Sequence, residues 1–479
     1  MRRRSTRISG FFSLCLIATL ATAVAIPARA QDVLIRGGWL FDGTGDEVVP
    51  NPGIFVRASM FLAVGGDVSA YETPAMQVIE LGNNDYILPG FFDLHAHYAV
   101  DLFSDGRVDD TRSYPTIFLG NGVTSTYPAG AVDPDSLYSL SLRIDRGEQV
   151  GARLFNSGPY FGRAREGWDD ATTSEQIYRE VDEWAARGVR HFKAKRPSPE
   201  HLRALIERAH LHGATVAGHL DSRYRENVNT ADGILMGIDR IEHFLGGEDF
   251  VDDRSAYASL EYLDLGSPNL DSIMQLYIRH NVVFDATLTA YGYYGARDPR
   301  VYTYFDDERT YFTPYMQQLL SERPTRPVNE QFERIYHKKL QTIKAFYDAG
   351  GGHLITLGTD HPTWGEFLPG FAVHRELHAF VLAGIPPADA LKIATINGAR
   401  ALNVSSYLGT IEAGKFADLV VVSGNPLDDI RNSRNTRLVM KAGSVYDCRE
   451  LLESARGTIG PNGPDEVVMW TRARRQEND

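Results

Sequence analysis

Cysteine is almost absent from this 479-residue chain, which has only Cys15 and Cys448. Cys15 lies inside an apolar N-terminal stretch, so a chain trimmed of that stretch keeps one thiol and can form no internal disulfide. Stability must then come from core size. With 43% hydrophobic and 11% aromatic residues, the length suits one large domain plus a smaller one. A basic stripe is also missing. The formal charge is -13 and the lysines and arginines form no cluster, which argues against nucleic acid as the main partner. There is no internal repeat of fixed period.

What is present begins with a leader. Arg2, Arg3, Arg4 and Arg7 precede a mostly apolar run from Phe11 to Ile26, closed by Ala28-Arg29-Ala30. The run is short for a bilayer span and ends in a small-residue site, so residues 1–30 read as a secretory signal peptide cut after Ala30. The expectation is a secreted or periplasmic protein with no membrane attachment once cleaved. Trimming removes five of the 49 basic residues and no acids, leaving 44 against 62, or -18. Phe12-Ser13-Leu14 ahead of Cys15 is a poor lipid-attachment site.

From residue 31 to 84 the pattern is short apolar segments broken by glycine, such as Val33-Leu34-Ile35 and Ile54-Phe55-Val56, which read as strands joined by tight turns. From 85 to 404 short apolar runs alternate with longer amphipathic stretches, the rhythm of β/α units on a parallel sheet. Strands are expected at 86–94, 123–127, 152–157, 189–195, 214–219, 239–243, 282–288 and 353–358. Eight strands in about 270 residues match a (β/α)8 TIM-like barrel. Glycine-broken strands return over 405–450, before a tail at 451–479. Neither terminal segment has enough strands to bury a face alone, so the two are expected to form one small β-sandwich.

The strand Ile87-Leu88-Pro89-Gly90-Phe91-Phe92-Asp93-Leu94 ends in His95-Ala96-His97. Residues i and i+2 of a strand share a side, so both imidazoles can face one metal at the active end of a barrel. Three other runs close the same way, on His219, His243 and Asp360. A single strand-end histidine is more often structural than a ligand. Four such strand ends together point to a metal, because imidazoles and a carboxylate suit a borderline divalent ion such as Zn2+.

With these motifs on the page, the chain resembles the amidohydrolase superfamily, in its imidazolonepropionase-like and prolidase-like (Xaa-Pro dipeptidase-type) branch. The resemblance runs from Ile35-Arg36-Gly37-Gly38 to Leu408-Gly409-Thr410-Ile411-Glu412-Ala413-Gly414-Lys415-Phe416-Ala417-Asp418-Leu419, with Ala394-Thr395-Ile396-Asn397-Gly398-Ala399-Arg400-Ala401-Leu402 before it. It implies that His95 and His97 are the first-strand ligands, His219 and His243 those of the fifth and sixth strands, and Asp360 that of the eighth. It also implies a fourth-strand lysine, carboxylated by carbon dioxide, bridging two ions. Lys193 has the matching spacing from Gly188, while Lys195 shares its face and stays open as the alternative. The implied reaction is metal-assisted hydrolysis of an amide in a small molecule, such as a dipeptide, N-acyl amino acid or cyclic amide, with Asp360 taking the proton of the attacking water and passing it to the leaving nitrogen.

Substrate contacts are expected from Tyr98, from Arg163 or Arg165 as partners of a substrate carboxylate, and from His361. His374 and His378 share a helical face with Glu376 nearby, but not in the H-E-x-x-H order, so packing or surface roles are favoured. Two other readings stay open: a mononuclear deaminase or ring-opening hydrolase in which Lys193 is structural, and a non-catalytic binding protein on the same fold. A homo-oligomer is also compatible with the sequence.

Overall fold

The structure is a computed structural model that describes residues 32–104, 106–302, 307–361 and 367–471. The expected signal peptide and the end of the expected tail lie outside the described residues, as does the segment between His361 and Phe367.

The two terminal segments meet in one mixed eight-stranded sheet. Val33–Leu40 runs antiparallel to Gly53–Arg57 and parallel to the long strand Gln77–Pro89. Leu419–Ser423 joins that long strand antiparallel, and Thr436–Lys441 and Ser444–Asp447 extend the sheet from there. The two segments join as one hydrogen-bonded sheet, because Gln77–Pro89 pairs with a strand from each terminus, and the expected sandwich of two facing sheets is not shown among the described residues. The period of two gives the sheet two buried faces. Ile87, Leu419 and Val421 pack into a small core of their own, whereas Leu88, Val420 and Val422 turn into the large α/β core. Gly37 has a left-handed φ of +86°, and a Cβ there would lie 2.4 Å from the Leu81 carbonyl oxygen, so only glycine allows the strands this approach.

The two main sheets of the α/β body are parallel, and a short antiparallel pair, Ala99–Val100 with Val108–Asp109, stands apart from them. One sheet orders Arg153–Leu154, Val123–Pro128 and Phe91–Ala96, and a second runs Tyr160–Phe161, His191–Lys195, Thr215–His219, Arg240–Glu242, Val283–Asp285 and Ile355–Thr356 in succession. The sheets meet at one seam, where Leu94 N–H donates to Leu357 O at 2.9 Å and Asp360 N–H donates to His95 O at 2.9 Å. At the other seam the third expected strand divides: Arg153–Leu154 pairs backwards with Val123–Pro128, and after a short link Tyr160–Phe161 pairs forwards with His191–Lys195. Among the described residues no ladder joins these two segments. The α/β class is as expected, while the strands lie in two parallel sheets rather than one unbroken ladder.

Helices follow the strands and start where their caps dictate. Thr173 makes a capping box with Gln176 at the head of Ser174–Ala186; Ser198 and Ser267 cap Pro199–Leu211 and Pro268–His280, each with proline in the first turn. No helix among the described residues is long and apolar enough to cross a membrane.

Candidate metal centre

Parallel strands deliver their last residues to one side of the sheet, and the polar strand ends gather there. His95 is the fifth residue of Phe91–Ala96 and His97 follows it; both are buried. His219 closes Thr215–His219, while His243 and Asp360 lie just past Arg240–Glu242 and Ile355–Thr356. His243 and Asp360 have left-handed φ values of 72° and 40°. Such backbone is costly for a non-glycine residue and persists where the surroundings enforce it.

The four imidazoles and the carboxylate are in mutual reach. Ring centroids are 5.3 Å apart for His95 and His97, 4.8 Å for His95 and His243, and 4.2 Å for His219 and His243. Asp360 Oδ1 is 2.9 Å from His97 Nε2 and 3.6 Å from His95 Nε2, and Oδ2 is 3.9 Å from His243 Nδ1. Two groups could each hold an ion: His95, His97 and Asp360, and His95, Glu242 and His243, with ligand atoms within 4.8 Å in each.

Burial fixes the charge states. It pushes His95, His219 and His243 well below the usual histidine range, so they are neutral donors. At Asp360 burial acts in the opposite sense, but the hydrogen bond with His97, with Lys195 adding to it, outweighs burial and holds the carboxyl below its ordinary value. Among the described residues the buried His95 Nδ1 and His243 Nε2 make no hydrogen bond, nor does either oxygen of Asp285. Buried polar atoms left without partners are costly unless something else satisfies them. A cation would do so, and the donor set of neutral imidazoles and carboxylates fits a divalent one.

Lys193 and Lys195 both reach this site. Lys193 is 1% exposed, touches Glu242, and is held well below the usual lysine range by burial, with Lys195 and Arg240 adding to the effect. Lys195 is less deeply placed, its ammonium 5.1 Å above the Tyr160 ring, and burial followed by Arg107 lowers it as well. Both line a cavity of about 230 Å³ together with the ligand candidates, His361, Arg107 and an aromatic group of Tyr257, Tyr291, Tyr294 and Phe332. A larger cavity of about 450 Å³ sits at the strand beginnings beside His191 and Tyr407, away from these groups.

Not every expected site residue arrives. Tyr98 is buried, shares a 2.9 Å hydrogen bond with Thr126 Oγ1, and is not among the residues lining the cavity. Arg163 donates to Glu226 O at 2.8 Å and Arg165 pairs with Glu180 at 2.6 Å, so both guanidiniums are engaged outside the cavity. The structure does not bring these three side chains, expected from sequence to contact substrate, to the cavity lining. His361 does line the cavity; burial pushes it down to about 3. His374 is fully buried with Nδ1 3.0 Å from Ser433 Oγ, and Glu376 accepts from Leu288 N, Thr289 N and Thr289 Oγ1, so this helical face packs rather than meets solvent.

Sequence reasoning missed Glu242, Asp285 and Arg107. Glu242 and Asp285 are fully buried acids at the ends of Arg240–Glu242 and Val283–Asp285, within 3.6 Å and 3.4 Å of His95 Nδ1, and burial pushes Asp285 up to about 8. An acid closing an apolar run was a readable signal for both. Arg107 stands in a loop and had none.

The model of the Amidohydrolase family matches residues 86–446, more than half of the chain, and the chain belongs to that family. Among solved structures, a Xaa-Pro dipeptidase with bound methionine in the active site is 22% identical, with a TM-score of 0.64 over 87% of this chain and 100% of that one. Molinate hydrolase is 19% identical, with a TM-score of 0.66 over 91% and 99%. At these identities the likeness speaks for the fold. A curated 5-methylthioadenosine/S-adenosylhomocysteine deaminase of Thermoanaerobacter pseudethanolicus is 40% identical over 75 residues, 14% of this chain and 17% of that protein. The chain spans about a fifth of the length of the first curated relatives it matches.

Proposed function

We propose that this member of the family is a metal-dependent hydrolase cleaving a carbon–nitrogen bond, other than an ordinary protein peptide bond, in a small substrate such as a dipeptide, N-acyl amino acid or cyclic amide. The observation that carries the reading is the convergence of four neutral imidazoles, one ionised carboxylate and a buried lysine on one cavity. Its residues suit a centre of two divalent ions, Zn2+ by donor type, with Lys193 as the carboxylated bridge. A lysine held low by burial is the free amine to which carbon dioxide adds, and the resulting anion offers two oxygens where an amine offers one lone pair. When bound, such ions supply Lewis acidity toward a carbonyl and a water of lowered pKa.

The chain's own groups do the rest. His95, His97, His219 and His243 hold their rings neutral and directed at the ions. Thr287 Oγ1, 2.7 Å from His243 Nδ1, fixes that ring, and Lys339 Nζ donates to His243 O at 2.7 Å, pinning its left-handed backbone. Asp360, ionised and hydrogen-bonded to His97, accepts the proton of the attacking water and returns it to the leaving nitrogen. The aromatic side of the cavity excludes solvent.

Contact between Lys193 and Glu242 favours a second reading, in which the lysine is a structural partner of that acid and a single ion serves a deaminase or ring-opening hydrolase. The same proposal takes the parallel strands as a (β/α)8 barrel, supported by the hydrogen bonds across one seam, and places the protein outside the cytoplasm on the strength of the leader. Screening the metal-loaded protein against dipeptide, N-acyl amino acid, cyclic amide and aminopurine panels tests the reading. Amide turnover is expected, and turnover of aminopurines alone would replace it with the deaminase.

A further inference from the structure

The cavity walls are unlike one another. Arg107 stands in the loop after the strand Phe91–Ala96, and Lys195 ends the strand His191–Lys195. The lining also includes Tyr257, Tyr291, Tyr294 and Phe332, which come from segments following Arg240–Glu242 and Val283–Asp285. Tyr291 and Phe332 stack with centroids 5.7 Å apart and an interplanar angle of 15°, and Tyr257 and Tyr294 pack on the same ring at 5.9 Å and 5.0 Å. The candidate ligands line the same cavity.

The cations on the first side are not spoken for. Among the described residues neither Arg107 nor Lys195 has a carboxylate within ion-pair distance, and the Lys195 ammonium sits over the Tyr160 ring. Two cations crowded at one wall are poorly compensated, and an entering anion relieves them. On the other hand, the single carboxylate among the described lining residues is Asp360, already engaged with His97. An ammonium entering the cavity therefore meets cations and no free acid.

Resting on the hydrolase reading above, we infer that Arg107 and Lys195 form a clamp for a substrate carboxylate, and that the substrate is an N-blocked amino acid whose apolar, preferably aromatic, acyl group lies on the Tyr257–Tyr291–Tyr294–Phe332 wall. Arg107 offers a planar fork to the carboxylate and Lys195 a point charge. With the carboxylate on the two cations and the acyl group on the aromatic rings, the amide is left to the ligand cluster that lines the same cavity. The clamp takes over the role that the sequence assigns to Arg163 or Arg165.

The test compares an N-benzoyl amino acid, its carboxamide and the corresponding dipeptide with a free amino terminus. Each is measured for hydrolysis and, by calorimetry, for binding to the metal-loaded wild type, Arg107→Met and Lys195→Met. In the wild type the acid is favoured over the carboxamide by about tenfold to a hundredfold, the worth of a charge-assisted hydrogen bond or two. That ratio falls toward one in Arg107→Met, and partly in Lys195→Met, with metal content unchanged. An acid preference that survives in both variants overturns the clamp, because the carboxylate is then held elsewhere, and so does equal handling of acid and carboxamide by the wild type. A free-amino dipeptide bound as well as the benzoyl compound overturns the N-blocked assignment. If no amide is turned over but the binding ratio appears and collapses as stated, the clamp stands and the hydrolase reading fails.

Discussion

Two buried aspartates show how burial and function part company. Asp418, in the motif near the C-terminus, is 5% exposed and fully provided for: Arg153 Nη1 donates to it at 2.6 Å and Ala442 N–H at 2.7 Å. Arg153 lies on a strand of the α/β body and Asp418 borders the terminal sheet, so the pair ties the two together. Asp285, under the strand ends, is just as buried, but among the described residues its carboxylate makes no hydrogen bond, and neither does the neighbouring His95 Nδ1. A satisfied buried pair is architecture, whereas a cluster of unsatisfied buried donors and acceptors waits for a ligand.

The comparison can be broken first on the reactive side. Asp360→Asn should lower kcat by about 10²–10⁴-fold, the range for removing a general acid–base group, while thermal stability changes little. Undiminished turnover in that variant would take Asp360 out of proton transfer. On the architectural side, Asp418→Ala leaves the Arg153 guanidinium buried without its partner and should cost about 3 kcal/mol of stability in urea unfolding. Its metal content should match the wild type; a loss of metal with unchanged stability would reverse the assignment.

A smaller effect sharpens the contrast through pH. Burial pushes Glu376 up to about 7, so the folded chain holds a proton there that the unfolded chain gives up at lower pH. Its contribution to stability is therefore largest in acid and is lost as pH rises through about 5 to about 7, by at most about 1.4 kcal/mol per unit, then stays flat. The wild type should lose its margin over Glu376→Gln across that window. A margin that grows with pH would mean that the carboxylate form is the one the fold stabilises.

Much of the candidate centre was legible because strands impose simple rules. His95 and His97 are two apart on a strand, and His219, His243 and Asp360 each close an apolar run, so alternation and parallel direction suffice to bring them to one side. Glu242 and Asp285 obey the same rule yet read as ordinary strand-end acids, since only the packed structure shows their oxygens beside His95 Nδ1. Arg107, Arg163 and Arg165 all stand in loops, where no period constrains direction, so which guanidinium meets the cavity and which meets Glu180 or the Glu226 carbonyl was not readable. The terminal strands were visible as apolar segments. Their union in one sheet depends on the long strand Gln77–Pro89 pairing at once with Val33–Leu40 and Leu419–Ser423, a contact across more than 300 residues that local pattern cannot report.

The account rests on two ions held by His95, His97, His219, His243 and Asp360 and bridged through Lys193. Metal equivalents per chain, measured on wild type and Lys193→Ala after dialysis against divalent ion and bicarbonate, test it most directly. The account predicts close to two equivalents in the wild type and a fall to one or fewer in the variant. A single equivalent in both would contradict it, and would leave Lys193 as the structural partner of Glu242.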